Sequence, residues 1–174
     1  MKIFSMVFTL FLSLISFSQN IVYIGTKAYP ATETRSFLKK GQYASYSYNS
    51  TLEVTFAKRV NGGCIMLSTG GVFSEDQSIG GTILIYLSNG ETLSLSTRLH
   101  KDFADEKTTV VYALSSIQIQ KLKLYDISKI RYYIISFGGK SGYTAENRYN
   151  KSYKPGVYDQ GVYRTSEDVA SLFD

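Results

Sequence analysis

Few residues of this 174-residue chain could carry nucleophilic or proton-transfer chemistry, because it contains one histidine, His100, and one cysteine, Cys64. A Ser-His-Asp or Cys-His mechanism would therefore have to use His100. His100 lies in a charged stretch that we interpret as a surface loop, and no nucleophile lies near it in the sequence. Cys64 is predicted to lie opposite Arg59, which would lower the pKa of the thiol, although packing is the usual role of such a cysteine. The sequence predicts no catalytic residue.

Two groups of acidic residues offer the oxygen ligands that calcium prefers. They are Glu75 with Asp76, and Asp102, Asp105 and Glu106. Neither group has the glycine-punctuated spacing of an EF-hand, so we interpret both as solvated loop charges. The sequence motifs of serine hydrolases, zinc proteases, phosphate-binding loops and redox dithiols are absent. No metal site and no cofactor is predicted.

The stretch most suggestive of binding is Lys140–Arg164, which contains five tyrosines, five basic residues and two acids. Tyrosine offers a flat ring and a hydroxyl, and a neighbouring Lys or Arg can meet an anion. Against binding, these tyrosines could pair across strands of a further hairpin or belong to a disordered surface tract, and the absence of tryptophan weakens a carbohydrate platform. The candidate binding residues are Tyr143, Arg148, Tyr149, Lys151, Tyr153, Lys154, Tyr158, Tyr163 and Arg164.

The N-terminus has the pattern of a secretory signal peptide over residues 1–18. Lys2 precedes an apolar run from Ile3 to Phe17, and Ser16 and Ser18 suit a cut before Gln19, with a cut before Asn20 left open. The run is shorter than the roughly 20 residues of a membrane-spanning helix, which favours cleavage over an uncleaved anchor. We therefore expect an exported protein: periplasmic, on the outer surface or extracellular, with no transmembrane segment in the mature chain.

Composition fits a single globular domain, with 44% apolar and 19% charged residues. Residues 1–18 hold one of the 19 basic residues and none of the 14 acids, so the mature chain carries a net charge of +4. That mild charge makes nucleic acid an unexpected partner. A single cysteine forms no internal disulfide. We expect residues 19–138 to form a β domain and residues 139–174 to be packed on it or appended to it.

Two Asn-Gly pairs predict β-hairpins. Around Asn89-Gly90, a two-residue turn sets Tyr86 opposite Leu93 and Leu84 opposite Leu95 as the core face. Around Asn61-Gly62 the same logic sets Phe56 opposite Leu67 on the apolar side, unless a three-residue loop shifts this register.

Further along the chain, Arg98–Glu106 is predicted as a charged loop, and Ser115-Ser116-Ile117-Gln118 has the spacing of a capping box for a short helix. A strand over Lys129–Phe137 and a terminal helix over Thr165–Asp174, capped by Thr165 or Ser166, follow. The predicted fold class is all-β and mainly antiparallel: a β-sandwich or barrel with one short helix before the last core strand and a possible C-terminal helix.

Three stretches together resemble small exported β-rich proteins of Gram-negative bacteria whose function is unknown. They are Tyr29-Pro30-Ala31-Thr32, Gly80-Gly81-Thr82 leading into ILIYLSNGETLSL, and Val111-Tyr112-Ala113-Leu114 followed by the predicted helix and Ile127–Ile134. The resemblance covers Tyr29–Ile135 and implies bacterial export and a β domain, but no functional residues. The leading hypothesis is an exported, non-enzymatic binding or envelope-associated module that contacts an envelope polymer or another exported protein through Lys140–Arg164. The alternatives are a secreted hydrolase and a small inhibitor or immunity protein that blocks another exported protein.

Overall fold

The structure is a computed structural model that describes residues 20–40, 51–71, 74–150 and 160–174. The predicted signal peptide therefore lies outside the described residues. The secondary structure is dominated by strands, which are β1 (Asn20–Ile24), β2 (Lys27–Ala31), β3 (Arg35–Lys39), β4 (Thr51–Arg59), β5 (Gly62–Gly70), β6 (Ser78–Leu87), β7 (Thr92–Leu95), β8 (Arg98–Ala104), β9 (Lys107–Leu114), β10 (Ile127–Ser136), β11 (Gly139–Glu146), β12 (Tyr149–Asn150) and β13 (Gln160–Gly161). The two helices in the same ranges are α1 (Ser116–Leu124) and α2 (Thr165–Phe173).

Eleven of these strands form one antiparallel sheet that curls into a nearly closed barrel. The order along the sheet is β7-β6-β10-β11-β3-β4-β5-β9-β8, with the β1–β2 hairpin attached to β4, while β12 and β13 pair separately. The two ends of the sheet approach each other, since the Tyr112 hydroxyl on β9 donates to the Gly81 carbonyl on β6 at 2.9 Å. The all-β, mainly antiparallel fold class is confirmed, with both helices.

The main core lies inside the barrel and is built from the inward residues of each strand. On β10 these are Ile130 and Tyr132, both fully buried. The two helices pack together and add Ile119 and Leu122 from α1, and Val169 and Leu172 from α2. Both helices therefore belong to the same core as the barrel.

A second, smaller core lies on the outer side of β4, β5 and β9. Ala57, Cys64 and Val111 point outward there and are nevertheless almost completely buried. They are covered by the β1–β2 hairpin, which contributes Ala31 and the half-buried Val22, Ile24 and Tyr29. Small apolar side chains on this face let the hairpin lie close to the sheet.

The predicted register of the Asn89-Gly90 hairpin is wrong by one residue. Ile85 lies opposite Leu93, and Ile83 lies opposite Leu95. The loop has three residues, because the Leu87 amide donates to the Glu91 carbonyl at 2.9 Å and Gly90 takes a positive φ of 90° at its last position. A shift of one residue exchanges the two faces of a strand. The buried set on β6 is accordingly Ile83, Ile85 and Leu87, while Leu84 and Tyr86 face outward.

The Asn61-Gly62 hairpin is shifted by two residues, so its faces are the predicted ones. Phe56 lies opposite Ile65 and Val54 opposite Leu67, and all four side chains are in the core. Cys64, however, lies opposite Ala57 and not opposite Arg59.

The prediction of a charged loop over Arg98–Glu106 is wrong, because β8 forms there and pairs with β9. Asp105 and Glu106 take positive φ values of 51° and 56°, which make a tight two-residue turn between the two strands. In the sheet order β8 is an outermost strand, and charged side chains are common on such strands because they discourage pairing with other chains.

The two helices begin differently. At α1 the capping box is confirmed: the Gln118 amide donates to the Ser115 hydroxyl, and the Ser115 amide donates to the Gln118 side chain. At α2 the predicted caps are wrong, because neither Thr165 nor Ser166 caps its own helix. The Ser166 amide donates instead to the Asp126 carboxylate at 2.9 Å, and the Thr165 hydroxyl accepts from the amide of Ile127.

Candidate functional site

The outward side chains of β6, β10 and β11 form four parallel rows across three neighbouring strands. Each row has one residue from each strand, with the β10 residue in the middle. In order along β10 the rows are Tyr86, Lys129 and Glu146; Leu84, Arg131 and Thr144; Gly80, Tyr133 and Gly142; and Ser78, Ile135 and Lys140. Two of the three outward positions in the third row are glycines, so this row has only one large side chain.

A groove of about 260 Å³ lies on this surface. We call it the cationic groove, and its lining residues are Lys40, Tyr86, Lys129, Arg131, Gly142, Thr144 and Glu146. The pairing of β10 with β6 is irregular on both sides of Arg131, between Ile127 and Lys129 and between Arg131 and Tyr133. Such bulges increase local twist and redirect side chains, and they are frequent beside binding sites.

The charge of the groove is predominantly positive. Lys40, Lys129 and Arg131 line it, and Lys140 follows in the fourth row. Within the described residues, none of these four cations forms an ion pair. Glu146 is the acid in the groove lining, and its Oε2 lies 3.3 Å from Nε of Arg148. The groove therefore presents a net positive charge to solvent.

Tyrosine rings support several of these cations. Nζ of Lys129 lies 4.7 Å from the centroid of the Tyr86 ring, and Nζ of Lys140 lies 3.7 Å from that of Tyr133. Cζ of Arg131 lies 5.8 Å from the same Tyr133 centroid. A cation over an aromatic face is attracted by the ring quadrupole, so these contacts restrict the long side chains. The rings thus position the cations rather than offering open faces.

The Tyr133 ring lies close to the β11 backbone because residue 142 is glycine. A Cβ atom at Gly142 would lie 3.3 Å from Cε1 of Tyr133, which is tighter than most such contacts. The ring therefore rests near β11 while its face carries the Lys140 ammonium. This close approach keeps the third row shallow.

Of the predicted binding residues, Tyr143 and Arg148 lie close to this surface without lining the groove. Tyr143 is on β11 but shares the inner side with Tyr132, on which its ring stacks at 5.7 Å, and 40% of its surface remains exposed. Burial raises the pKa of the Tyr132 phenol, and the nearby Thr69 hydroxyl offsets part of that rise. Arg148 is exposed and pairs with Glu146.

Tyr149 and Tyr163 are half-buried and help to hold α2 in place. Their rings stack at 4.5 Å, and Tyr163 also stacks on Phe37 at 6.1 Å. Cζ of Arg35 lies 5.3 Å from the Tyr163 centroid, while its guanidinium donates two hydrogen bonds to Asp168 of α2 at 2.8 and 2.7 Å. These bonds raise the pKa of Arg35.

The remaining predicted binding residues divide into two groups. Arg164 is exposed beside α2, and Nη1 lies 3.7 Å from an Asp126 oxygen. Lys151, Tyr153, Lys154 and Tyr158 lie outside the described residues, so their role stays a prediction.

Cys64 and His100 do not meet in the barrel. β9 lies between their strands, which separates β5 from β8 by about 10 Å of sheet. The Cys64 thiol points to the Ala57 carbonyl, and burial raises its pKa to about 11, with Arg59 opposing part of the rise. Across the described ranges, no group of three or more His, Cys, Asp and Glu side chains is arranged to hold a metal ion.

Sequence analysis predicted the strand of β10 but did not connect its alternation with a binding surface. Lys129, Arg131 and Tyr133 occupy successive outward positions, while Ile130 and Tyr132 point inward. This pattern alone indicates an exposed cationic strand face. Lys40 and Tyr86 come from distant parts of the chain, and no local pattern connects them with β10.

Comparison of the chain with protein-family models, with curated proteins and with solved structures finds no match. Neither of the two helices in the described ranges is long and apolar enough to cross a membrane.

Proposed function

We propose that this chain is an exported, non-enzymatic binding module whose cationic groove takes a ligand that bears anionic groups. One observation carries the proposal: Lys40, Lys129 and Arg131 line one groove without ion-pair partners among the described residues. Cations that lie together on one surface without acids between them create a local positive potential that attracts anions. The cation–ring contacts support the same conclusion, because an ordered side chain loses less conformational entropy when a ligand binds.

The groove replaces much of Lys140–Arg164 as the proposed contact surface. Tyr149 and Tyr163 stack on each other, and Tyr163 also stacks on Phe37, so their rings are occupied by contacts within the protein. Arg148 borders the groove through Glu146 and remains a candidate at its edge. Lys151 and Lys154 keep their place as an alternative site that the experiment must compare.

The test measures binding of dextran sulfate and of uncharged dextran to the purified mature chain by titration calorimetry. Arg131→Glu should weaken dextran sulfate binding at least tenfold, because it replaces a central cation of the groove with an anion. Lys58→Glu is the matched control, since Lys58 is an exposed cation on β4 outside the groove. It should change the affinity less than threefold.

Three outcomes would contradict the proposal. Equal losses in the two variants would show attraction to overall charge rather than to the groove. A loss confined to a Lys151→Glu, Lys154→Glu double variant would assign binding to the tyrosine-rich basic segment. Failure to bind dextran sulfate more tightly than dextran would remove the anion-binding function itself.

Export has a separate test. The full chain, expressed in a Gram-negative host, should be found in the periplasm or medium with an intact mass that begins at Gln19 or Asn20. Leu10→Arg interrupts the apolar run and should leave the protein in the cytoplasm with the leader uncut. An intact leader on the exported wild-type chain would favour an anchor instead.

A further inference from the structure

We infer that the ligand of the cationic groove is a linear acidic polysaccharide, whose chain lies along β10 and meets several cations in succession. This inference rests on the proposed function, and it adds the shape and chemical class of the ligand.

The cations follow the direction of β10. Lys129 belongs to the first row and Arg131 to the second, and two residues of a strand separate successive rows by about 7 Å. Lys140 belongs to the fourth row, but its ammonium lies over Tyr133 of the third. Three positive charges thus occupy three successive rows. One small anion is too short to meet all three, whereas an extended chain with repeated anionic groups is long enough.

Hydroxyl groups lie in the same rows as the cations. Tyr86 shares the first row with Lys129, Thr144 shares the second with Arg131, and Tyr133 follows in the third. Hydroxyls both donate and accept hydrogen bonds, so they suit a ligand that presents hydroxyls between its charges. Arg131 adds a planar fork of donors, the geometry that matches a carboxylate. A polymer of sugar acids carries carboxylates and hydroxyls in this kind of alternation.

The state of the tyrosine rings argues against a nucleic acid. Single-stranded nucleic acids bind by stacking bases on open aromatic faces. The Tyr86 and Tyr133 rings instead lie beneath the Lys129 and Lys140 ammonium groups. Rings in this position hold the cations that contact the anionic groups of a ligand. A chain without tryptophan can therefore bind a carbohydrate through the charges of that carbohydrate.

The two glycines of the third row let neighbouring side chains lie close to the sheet. The Tyr133 ring rests near Gly142, and Ile135 covers Gly80, where a Cβ atom would lie 2.6 Å from Cδ1 of Ile135. The surface between Arg131 and Lys140 is therefore formed by these two side chains, and the polymer would pass over them. Glu146 at the other end pairs with Arg148, so its charge repels the polymer less.

The experiment compares galacturonic acid, its trimer and its decamer with the fully methyl-esterified decamer, by titration calorimetry on the mature chain at low and at physiological salt. The decamer should bind at least tenfold more tightly than the monomer, because several contacts are made together. The esterified decamer has the same backbone without charge and should not bind. Physiological salt should weaken decamer binding relative to low salt, because it shortens the distance over which exposed charges attract each other to about 8 Å.

Lys140→Gln should weaken the decamer about fivefold and the monomer less, because only the longer ligand contacts all three rows at once. Lys58→Gln is the matched control and should change neither. Equal affinity for monomer and decamer would contradict a polymeric ligand but would still support an anion-binding groove. Binding of polyglutamate or polyphosphate as tight as that of the decamer, or tighter, would contradict a polysaccharide ligand. If neither these ligands nor dextran sulfate bind, both this inference and the proposed function fail.

Discussion

Two outer faces of the same barrel are built in opposite ways. The face formed by β4, β5 and β9 carries Ala57, Cys64 and Val111, and the β1–β2 hairpin covers them. Among the described residues, no element covers the face formed by β6, β10 and β11, which carries cations held over tyrosine rings. On the covered side Glu53 and Lys107 form an ion pair at 2.7 Å, whereas Lys129 and Arg131 have no ion-pair partner among the described residues.

This difference shows how outward side chains determine whether another part of the chain covers a barrel surface. Small apolar residues on an outward face gain free energy when another part of the chain removes them from water. Lysines and arginines would lose hydration if they were covered in the same way, so they keep a face open. The covered face contributes to stability, and the open face is the surface on which the proposed function depends.

The largest expected contrast comes from placing the same charge on each face. Val111→Asp buries a carboxylate under the hairpin and should lower the free energy of unfolding by about 4 kcal/mol or more. Ile135→Asp is the matched change on the open face and should cost about 1 kcal/mol or less, because Ile135 is 40% exposed. Urea denaturation measures both. Similar losses for the two variants would show that the hairpin does not seal its face.

The pH dependence of stability gives the next contrast. The pKa of the Cys64 thiol rises from 9.0 to about 11 because the thiol is buried. Between these values the unfolded chain loses the thiol proton while the folded chain keeps it, so stability falls as the pH rises from 9 to 11. Relative to Cys64→Ala, the wild type should lose about 2 kcal/mol over this range. Urea denaturation at each pH gives the free energy of unfolding of both proteins. If it depended on pH in the same way for both, the thiol would be accessible to water and the pKa of Cys64 would not be raised.

The smallest effect concerns the cation–ring contact on the open face. A double-mutant cycle with Tyr133→Leu and Lys140→Gln should give a coupling free energy of about 0.5–1 kcal/mol. The same cycle with Tyr133→Leu and Lys58→Gln should be additive, since Lys58 is on β4 and two strands, β11 and β3, separate it from Tyr133 on β10. Additivity in both cycles would show that the Lys140 ammonium is not held over the Tyr133 ring. It would contradict the ordered arrangement of cations and rings on the open face.

Sequence patterns predicted the kind of structure better than its register. Asn89-Gly90 correctly indicated a hairpin, but a turn motif does not specify how many residues the loop contains. One additional loop residue moved Ile83 and Ile85 into the core and turned Tyr86 outward, into the candidate site. The local hydrophobic pattern could not decide, because β6 is apolar on both sides.

The candidate site was predictable only where its residues are neighbours in sequence. Alternation placed Lys129 and Arg131 on one face of a strand, but their assembly with Lys40 and Tyr86 depends on strand pairing. The role of Tyr163 was equally hidden, because it stacks on Phe37 and lies under Arg35, more than 120 residues earlier. Composition favoured a binding segment over Lys140–Arg164. In the structure, Tyr143, Tyr149 and Tyr163 of that segment instead stack on other aromatic rings of the protein.

The different starts of the two helices have a consequence for the order of folding. α1 contains its own capping box, so its first turn can form from local sequence alone. α2 depends on Asp126, 40 residues earlier, and its Asp168 depends on Arg35, 133 residues earlier. Contacts across such separations form only after much of the chain is ordered. We therefore expect the last helix to dock as a late event that completes the barrel, and a chain released before residue 165 to keep its sheet while leaving Ile119 and Leu122 of α1 open to water.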